Sequence, residues 1–169
     1  MTAVALAAVL VPKPVPSRFW ITVAVCAVLP DVDAIGRPFG WGDLEFLGGH
    51  RAFSHSLVFA ASVSLVVVAF LLPSRSGSGA LAQLWLVVTL AIASHGALDA
   101  LTTYGSGVEF LAPFSAVRYR ATWQVLGGDI ARDTVTFLLA FFAARMVLKR
   151  RDLPAPRFLR FPESRAGPG

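Results

Sequence analysis

The three histidines of this 169-residue chain fall inside two short motifs. His50 and His55 lie in G-G-H-R-A-F-S-H-S, and His95 lies in S-H-G-A-L-D, four residues before Asp99. A further motif, P-D-V-D, carries Asp31 and Asp33. Imidazole nitrogens and carboxylate oxygens together make a donor set for a divalent cation, zinc first, with manganese or iron as alternatives; calcium would want mostly oxygen. At i, i+4 spacing His95 and Asp99 lie one turn apart on one helix face. His50 and His55 are five apart and do not share a helical face. The sequence therefore places His50 in a loop freed by Gly48 and Gly49, and His55 in a first helical turn that Ser54 caps. Asp31 and Asp33 close an apolar run, where two acids oppose the helix dipole unless a cation or an arginine compensates.

These residues are assigned as follows: His50, His55, His95 and Asp99 as metal ligands, and Asp31 or Asp33 as the group that completes the shell or acts as general base toward an activated water. The donors outnumber what one tetrahedral ion needs, so either some orient the imidazoles or two ions are held. A purely structural reading stays open beside this one, with His–Asp pairs as polar glue between helices and aspartates as turn formers.

Positioning such groups falls to apolar helices. Hydrophobic residues make up 56% of the chain, and the mean hydropathy of +0.67 lies above the soluble range. Apolar runs at 53–72, 81–101 and 134–148 compare with the roughly 20 residues of a simple membrane crossing. The first two are long enough and the third is short. A fourth run, 19–29, needs residues 15–18 or a thin bilayer to finish a span. The apolar segment 2–11 has no basic n-region and precedes Pro12, Pro14 and Pro16, a stiff break, so it is not read as a cleaved signal peptide. Cys26 is the lone cysteine and excludes an internal disulfide. The expected fold is all-α, a polytopic membrane helical bundle of about four to five apolar helices over residues 1–151. A Ser/Gly connector lies at 74–79, and a disordered basic tail at 152–169.

A net charge of +5 would suit nucleic acid, but the basic residues gather at element ends and no aromatic platform accompanies them, so no nucleic-acid partner is expected. Lys149, Arg150, Arg151, Arg157 and Arg160 follow the last apolar run and place the C-terminus in the cytoplasm. Lys13, Arg18 and Arg75 then also face inward. Alternating spans deliver Asp31, Asp33, His50, His55, His95 and Asp99 to one membrane face. Arg51, Arg118 and Arg120, with Tyr104, share that face and are candidates for binding an anionic substrate, although Arg and Tyr are also ordinary interfacial anchors. G-x-S-x-G, H-E-x-x-H and P-loop motifs are absent, which removes the chemistries that depend on them.

Taken together, L-P-D-V-D, G-H-R-A-F-S-H-S-L, A-S-H-G-A-L-D-A-L-T-T-Y-G and F-L-A-P-F-S-A-V-R-Y make residues 19–123 resemble the bacterial inner-membrane-associated metal-dependent hydrolases, a family also described as LexA-binding. The resemblance implies metal-site roles for Asp31, Asp33, His50, His55, His95 and Asp99, and an inner-membrane location. Members of that family begin with a histidine in a short apolar segment. Residues 1–11 carry none, so either the true start lies upstream or one ligand is missing. H-x-x-x-D is also similar, in spacing alone, to a pattern of zinc-dependent phospholipases and single-strand nucleases.

The leading expectation is a membrane-bound hydrolase, multi-pass in the inner membrane. Membrane lipids would surround it, and a small or lipid-linked ester or phosphoester would be its substrate. The rivals are a non-catalytic metal-binding membrane protein (a transporter component or a partner-recruiting scaffold) and an amide-cleaving lipid hydrolase of the ceramidase type. Oligomeric state is not legible.

Overall fold

The apolar runs rich in alanine, valine and leucine fold as helices, and proline or glycine marks where they stop. The computed structural model describes residues 1–11, 17–70, 78–127 and 129–153. Within them lie five α-helices: α1 (Thr2–Leu10), α2 (Ser17–Cys26), α3 (Leu57–Phe70), α4 (Ser78–Ala100) and α5 (Ile130–Arg150). Short 3-10 turns occupy Leu29–Ala34, Arg37–Phe39, Glu45–Leu47 and Phe53–His55. The described residues form no strands; two isolated bridges, Thr102 to Leu126 and Val108 to Tyr119, tie together the segment between α4 and α5. The proline break at 12–16, most of the connector at 74–79 and the tail beyond Leu153 lie outside the described residues.

The all-helical expectation holds, but the number of crossings does not follow from it. Among the described residues, Gly79–Ala100 is the one helix long and apolar enough to cross a membrane. Leu57–Phe70 is apolar but shorter than a crossing. The run expected at 19–29 ends at Cys26, and Arg18–Cys26 meets Leu29–Phe39 at a 49° bend. Pro30 sits at the start of the second piece and, lacking an N–H, cannot carry the α-helical ladder onward. Helix α5 is longer than its apolar run because Asp129 caps it: its side chain accepts from Ala131 N at 2.9 Å. The added first turn holds Arg132 and Asp133, and the last turn holds Lys149 and Arg150, so α5 is charged at both ends around an apolar middle.

Helix α1 packs against α4, α5 and α2, and α3 packs against α4. The buried face of α1 is Ala3, Val4, Ala7 and Ala8, small side chains that let helix backbones approach closely. Phe19, Trp20, Val23, Val87, Val88, Ala91, Ile92, Ala144 and Leu148 complete the core. Arg151 is not simply a lipid-facing cation. Its Nη1 donates to Ala8 O at 2.9 Å, Val9 O at 2.7 Å and Val11 O at 3.1 Å, placing positive charge at the C-terminal end of α1, where the helix dipole favours it. The polar residues of interest gather where α4 ends, α3 begins and the Leu29–Ala34 turn passes between them.

Candidate metal centre

The turn Leu29–Ala34 is 3-10 in form, with about three residues per turn, so side chains two apart diverge by roughly 120°. Asp31 and Asp33 therefore point to different places. Asp31 turns toward α4, with Oδ1 at 3.2 Å from His95 Nε2 and 3.7 Å from His55 Nε2. Asp99, one turn beyond His95, brings Oδ2 to 3.1 Å from His55 Nε2 and 3.8 Å from His95 Nε2. One atom from each of Asp31, His55, His95 and Asp99 thus lies within 4.8 Å of all the others. Donors held tetrahedrally at zinc distances sit roughly 3.4 Å apart, and the four measured separations bracket that value.

The other ring nitrogens are already committed. His95 Nδ1 donates to Ala27 O at 2.8 Å, and His55 Nδ1 lies 2.9 Å from Ser54 Oγ and 3.2 Å from Asp33 Oδ2. With the proton on Nδ1 in both rings, each Nε2 presents a lone pair to the group, the arrangement by which a carbonyl or carboxylate orients a metal-binding imidazole. Asp33 is fully buried. Its Oδ1 accepts from His50 Nδ1 at 2.7 Å, and its Oδ2 accepts from Arg51 N at 3.2 Å and from Ser54 Oγ, with His55 Nδ1 3.2 Å away.

The geometry groups the expected residues differently. Asp31 takes the place in the four-donor group expected for His50, while His50 and Asp33 form the layer behind His55. Asp33, His50 and His55 are themselves close enough to be a second possible group, but its Nδ1 atoms are occupied in hydrogen bonds. Gly48 and Gly49, each at φ +82°, carry the chain through left-handed backbone into His50, as their type allows. Ser54 does not cap α3, because its hydroxyl is engaged with Asp33 and His55. The cap is Ser56, whose Oγ accepts from Phe59 N at 3.1 Å.

Arg51 is the residue the sequence misplaced. It was expected to reach for substrate, yet it is 3% exposed. Its Nη1 donates to Thr102 Oγ1 at 3.2 Å and Tyr104 O at 2.8 Å, and its Nε lies 3.1 Å from Asp99 Oδ2. Its backbone is left-handed at φ +65°, a conformation that costs a non-glycine residue on the order of 1 kcal/mol. Bonds from Arg51 N to Asp33 and from Glu109 N to Arg51 O hold it there.

The electrostatics ask for a cation. His55 Nε2 and Asp99 Oδ2 are buried and lack a hydrogen bond, a costly state for polar atoms unless something binds them. With neutral imidazoles, the carboxylates of Asp31, Asp33 and Asp99 face the single guanidinium of Arg51. The excess is two negative charges, which one divalent ion or two added protons would balance. His55 lies ahead of α3, outside the apolar helix. Burial pulls its imidazole down, but the surrounding carboxylates of Asp31, Asp33 and Asp99 outweigh that and push it up to about 10.

The sequence profile of the YdjM inner membrane protein family matches residues 1–157. The chain belongs to that family. It is 40% identical over 116 residues to "Inner membrane protein YbcI" of Escherichia coli (strain K12), an alignment that covers 68% of this chain and 64% of that relative. No solved structure matches it. The inner-membrane part of the resemblance seen in the sequence is thereby met, and the names of family and relative say nothing of hydrolysis or of LexA.

The remaining arginines of this YdjM-family chain differ in what they hold. Arg118 Nε donates to Glu109 Oε1 at 2.9 Å, and its Nη1 bonds Ser106 Oγ, so its charge is partnered. Arg120 Nη2 donates to Thr103 O at 2.9 Å and Gln124 Oε1 at 3.0 Å, both neutral acceptors. Tyr104 is exposed, and its ring lies 5.2 Å from the Arg51 guanidinium carbon. The sequence had no way to indicate Ala27, since a backbone carbonyl leaves no signature of side-chain type.

Proposed function

We propose that this YdjM-family protein is a metal-dependent hydrolase of the inner membrane, with a divalent ion, zinc first, held by His55, His95, Asp99 and Asp31. One observation carries the proposal: donors from three separate stretches of chain converge at tetrahedral spacing, and two of those atoms are buried without a hydrogen bond. When bound, such an ion activates water and polarises an ester or phosphoester oxygen. Asp33 and Ala27 O fix the two imidazoles, and Arg51 holds Asp99. Asp31 has a half-exposed side chain (51%) against 0% for His55, so it is the donor nearest the aqueous mouth. It either closes the shell or yields its place and takes a proton as general base. Arg120 and Tyr104 are the groups proposed to meet an anionic, lipid-linked substrate. We place the chain as multi-pass, with the basic end of α5 toward the cytoplasm.

Four protein donors on one ion also describe a closed, non-catalytic site, and that count favours a metal-holding membrane protein as the second reading. Metal analysis of detergent-purified protein, wild type beside His95→Ala and Asp99→Asn, tests the site; hydrolysis of phospholipid, lipid-phosphate and lipid-amide panels by the loaded protein tests the reaction. Equal, negligible metal in all three proteins ends both readings. Bound metal with every panel inert leaves the second.

A further inference from the structure

Residues 34–49 leave the metal centre at Asp33 and return to it at His50, and those two residues are joined by the 2.7 Å bond from His50 Nδ1 to Asp33 Oδ1. The neck of the loop is thus part of the centre, and the loop is a closed excursion of the Ω type. It is built as a plate. Leu44 N donates to Asp33 O at 2.7 Å and Trp41 N to Gly36 O at 3.0 Å. The rings of Phe39 and Trp41 pack at 5.2 Å. Gly36 lies so close to the returning strand of chain that a Cβ there would stand 2.5 Å from Gly42 O.

The plate exposes a set of large apolar side chains beside Arg37 and Glu45. Ile35 is 57% exposed, Phe39 65%, Trp41 81% and Phe46 81%. A water-facing loop rarely displays such a set. Its arginine is neutralised within the loop: Arg37 Nη2 donates to Asp43 Oδ2 at 2.9 Å, and Nε bonds the other carboxylate oxygen. A bidentate pair of this kind lets a loop enter a low-dielectric layer with less desolvation cost than two separate charges. The apolar surface also runs on from the bent helical pair Arg18–Cys26 and Leu29–Phe39, which together have the hydropathy of a membrane segment. On that pair and in the break between its halves, Ile21, Val25 and Val28 are exposed as well.

We propose that loop 34–49 docks into the headgroup–acyl boundary of a phospholipid bilayer and holds the mouth of the metal centre at that depth. Tryptophan, phenylalanine and a paired arginine are the side chains that boundary accepts best. The loop has one arginine against Asp43 and Glu45, so attraction to anionic lipid does not drive the docking. Apolar burial does, and the depth is insensitive to salt and to lipid charge. The inference concerns where the centre sits, not what it catalyses, and its test reads depth alone.

The full chain with Cys26→Ala and one added cysteine, at Phe39→Cys, Trp41→Cys or Phe46→Cys, is labelled with a nitroxide and reconstituted into phosphatidylcholine vesicles with and without phosphatidylglycerol. Collision rates with oxygen, which favours the acyl region, are compared with those of water-soluble chromium oxalate. The expected result is a severalfold preference for oxygen at all three positions, unchanged by phosphatidylglycerol or salt. Trp41→Asp combined with Phe46→Asp reverses the preference at position 39, while the thermal unfolding of that variant in detergent matches the parent and reports that the fold is intact. Preference for chromium oxalate in the parent background overturns the proposal, as does shielding from both reagents, which would mean that a protein partner or a second copy covers the loop.

Discussion

His55 Nε2 and Asp99 Oδ2 lie 3.1 Å apart, both buried and neither in a hydrogen bond. Two lone-pair atoms at that distance repel unless a proton or a metal ion lies between them, and the acceptors behind His55 already hold its other nitrogen. The protein is therefore expected to bind about one divalent ion per chain. His55→Ala and Asp99→Asn should abolish binding. His50→Ala should keep the stoichiometry and lose about ten- to hundredfold in affinity, as removal of an orienting partner does. Elemental analysis and competition with a chromogenic chelator distinguish these outcomes. Complete loss of metal in His50→Ala would return that residue to the ligand set.

Acidity should compete with the ion. In the ion-free protein His55 is raised from 6.5 to about 10, so at neutral pH the ring carries a proton that a metal must displace. Apparent affinity then rises with pH, about tenfold per unit if one proton is released, and levels off above the raised value. For the ion-free fold the sign is opposite. A raised folded-state value contributes stability that is full below 6.5 and is lost as pH climbs through about 10. Melting curves between neutral and strongly alkaline pH, with and without zinc, should diverge as alkalinity increases, because the loaded protein has no such proton to lose. Parallel curves would contradict the competition.

The helical body was legible because alanine, valine and leucine runs without proline have few alternatives, and α3 and α4 fall where the apolar runs do. The His95–Asp99 pair was legible because helix geometry fixes an i, i+4 relation. The split between Asp31 and Asp33 was not. It depends on the 3-10 form of their turn, and two acids two apart read the same on paper whether they converge or diverge. Arg51 was misjudged for a related reason: an arginine beside a histidine looks like a substrate arm until Thr102, Tyr104 O and Asp99 are seen around its guanidinium. Loop 34–49 was passed over because its aromatic residues follow no periodicity, so nothing in their spacing marked a shared outward face.

Gly105 offers a test of the Arg51 brace without touching a ligand. Its φ is +88°, and a Cβ there would stand 2.2 Å from Arg51 Nη1. Gly105→Ala should lower stability by about 1–3 kcal/mol and weaken metal binding, because a displaced guanidinium no longer holds Asp99. Gly49→Ala is the comparison. Its φ is +82° with nothing within 4 Å, so only the backbone penalty of about 1 kcal/mol applies. Equal metal affinity in the two variants would show that Arg51 does not position Asp99.

Arg151 separates helix anchoring from the general preference of basic residues for the cytoplasmic side. Its Nη1 reaches Ala8 O, Val9 O and Val11 O, so the end of α5 closes the end of α1 across the core. Removing it leaves those carbonyls without the cation and weakens the dipole interaction, at a cost of about 1–2 kcal/mol. Arg151→Lys should recover only part of this, since the shorter lysine side chain holds its ammonium short of the position of Nη1. Arg150 is exposed, and Arg150→Ala should stay within about 0.5 kcal/mol of wild type, although both substitutions subtract the same charge from the same end of the helix. Thermal unfolding in detergent should rank the variants in that order, with metal content equal in all of them. If Arg150→Ala and Arg151→Ala proved equally harmful, charge alone would be the cause and the capping of α1 would carry no weight.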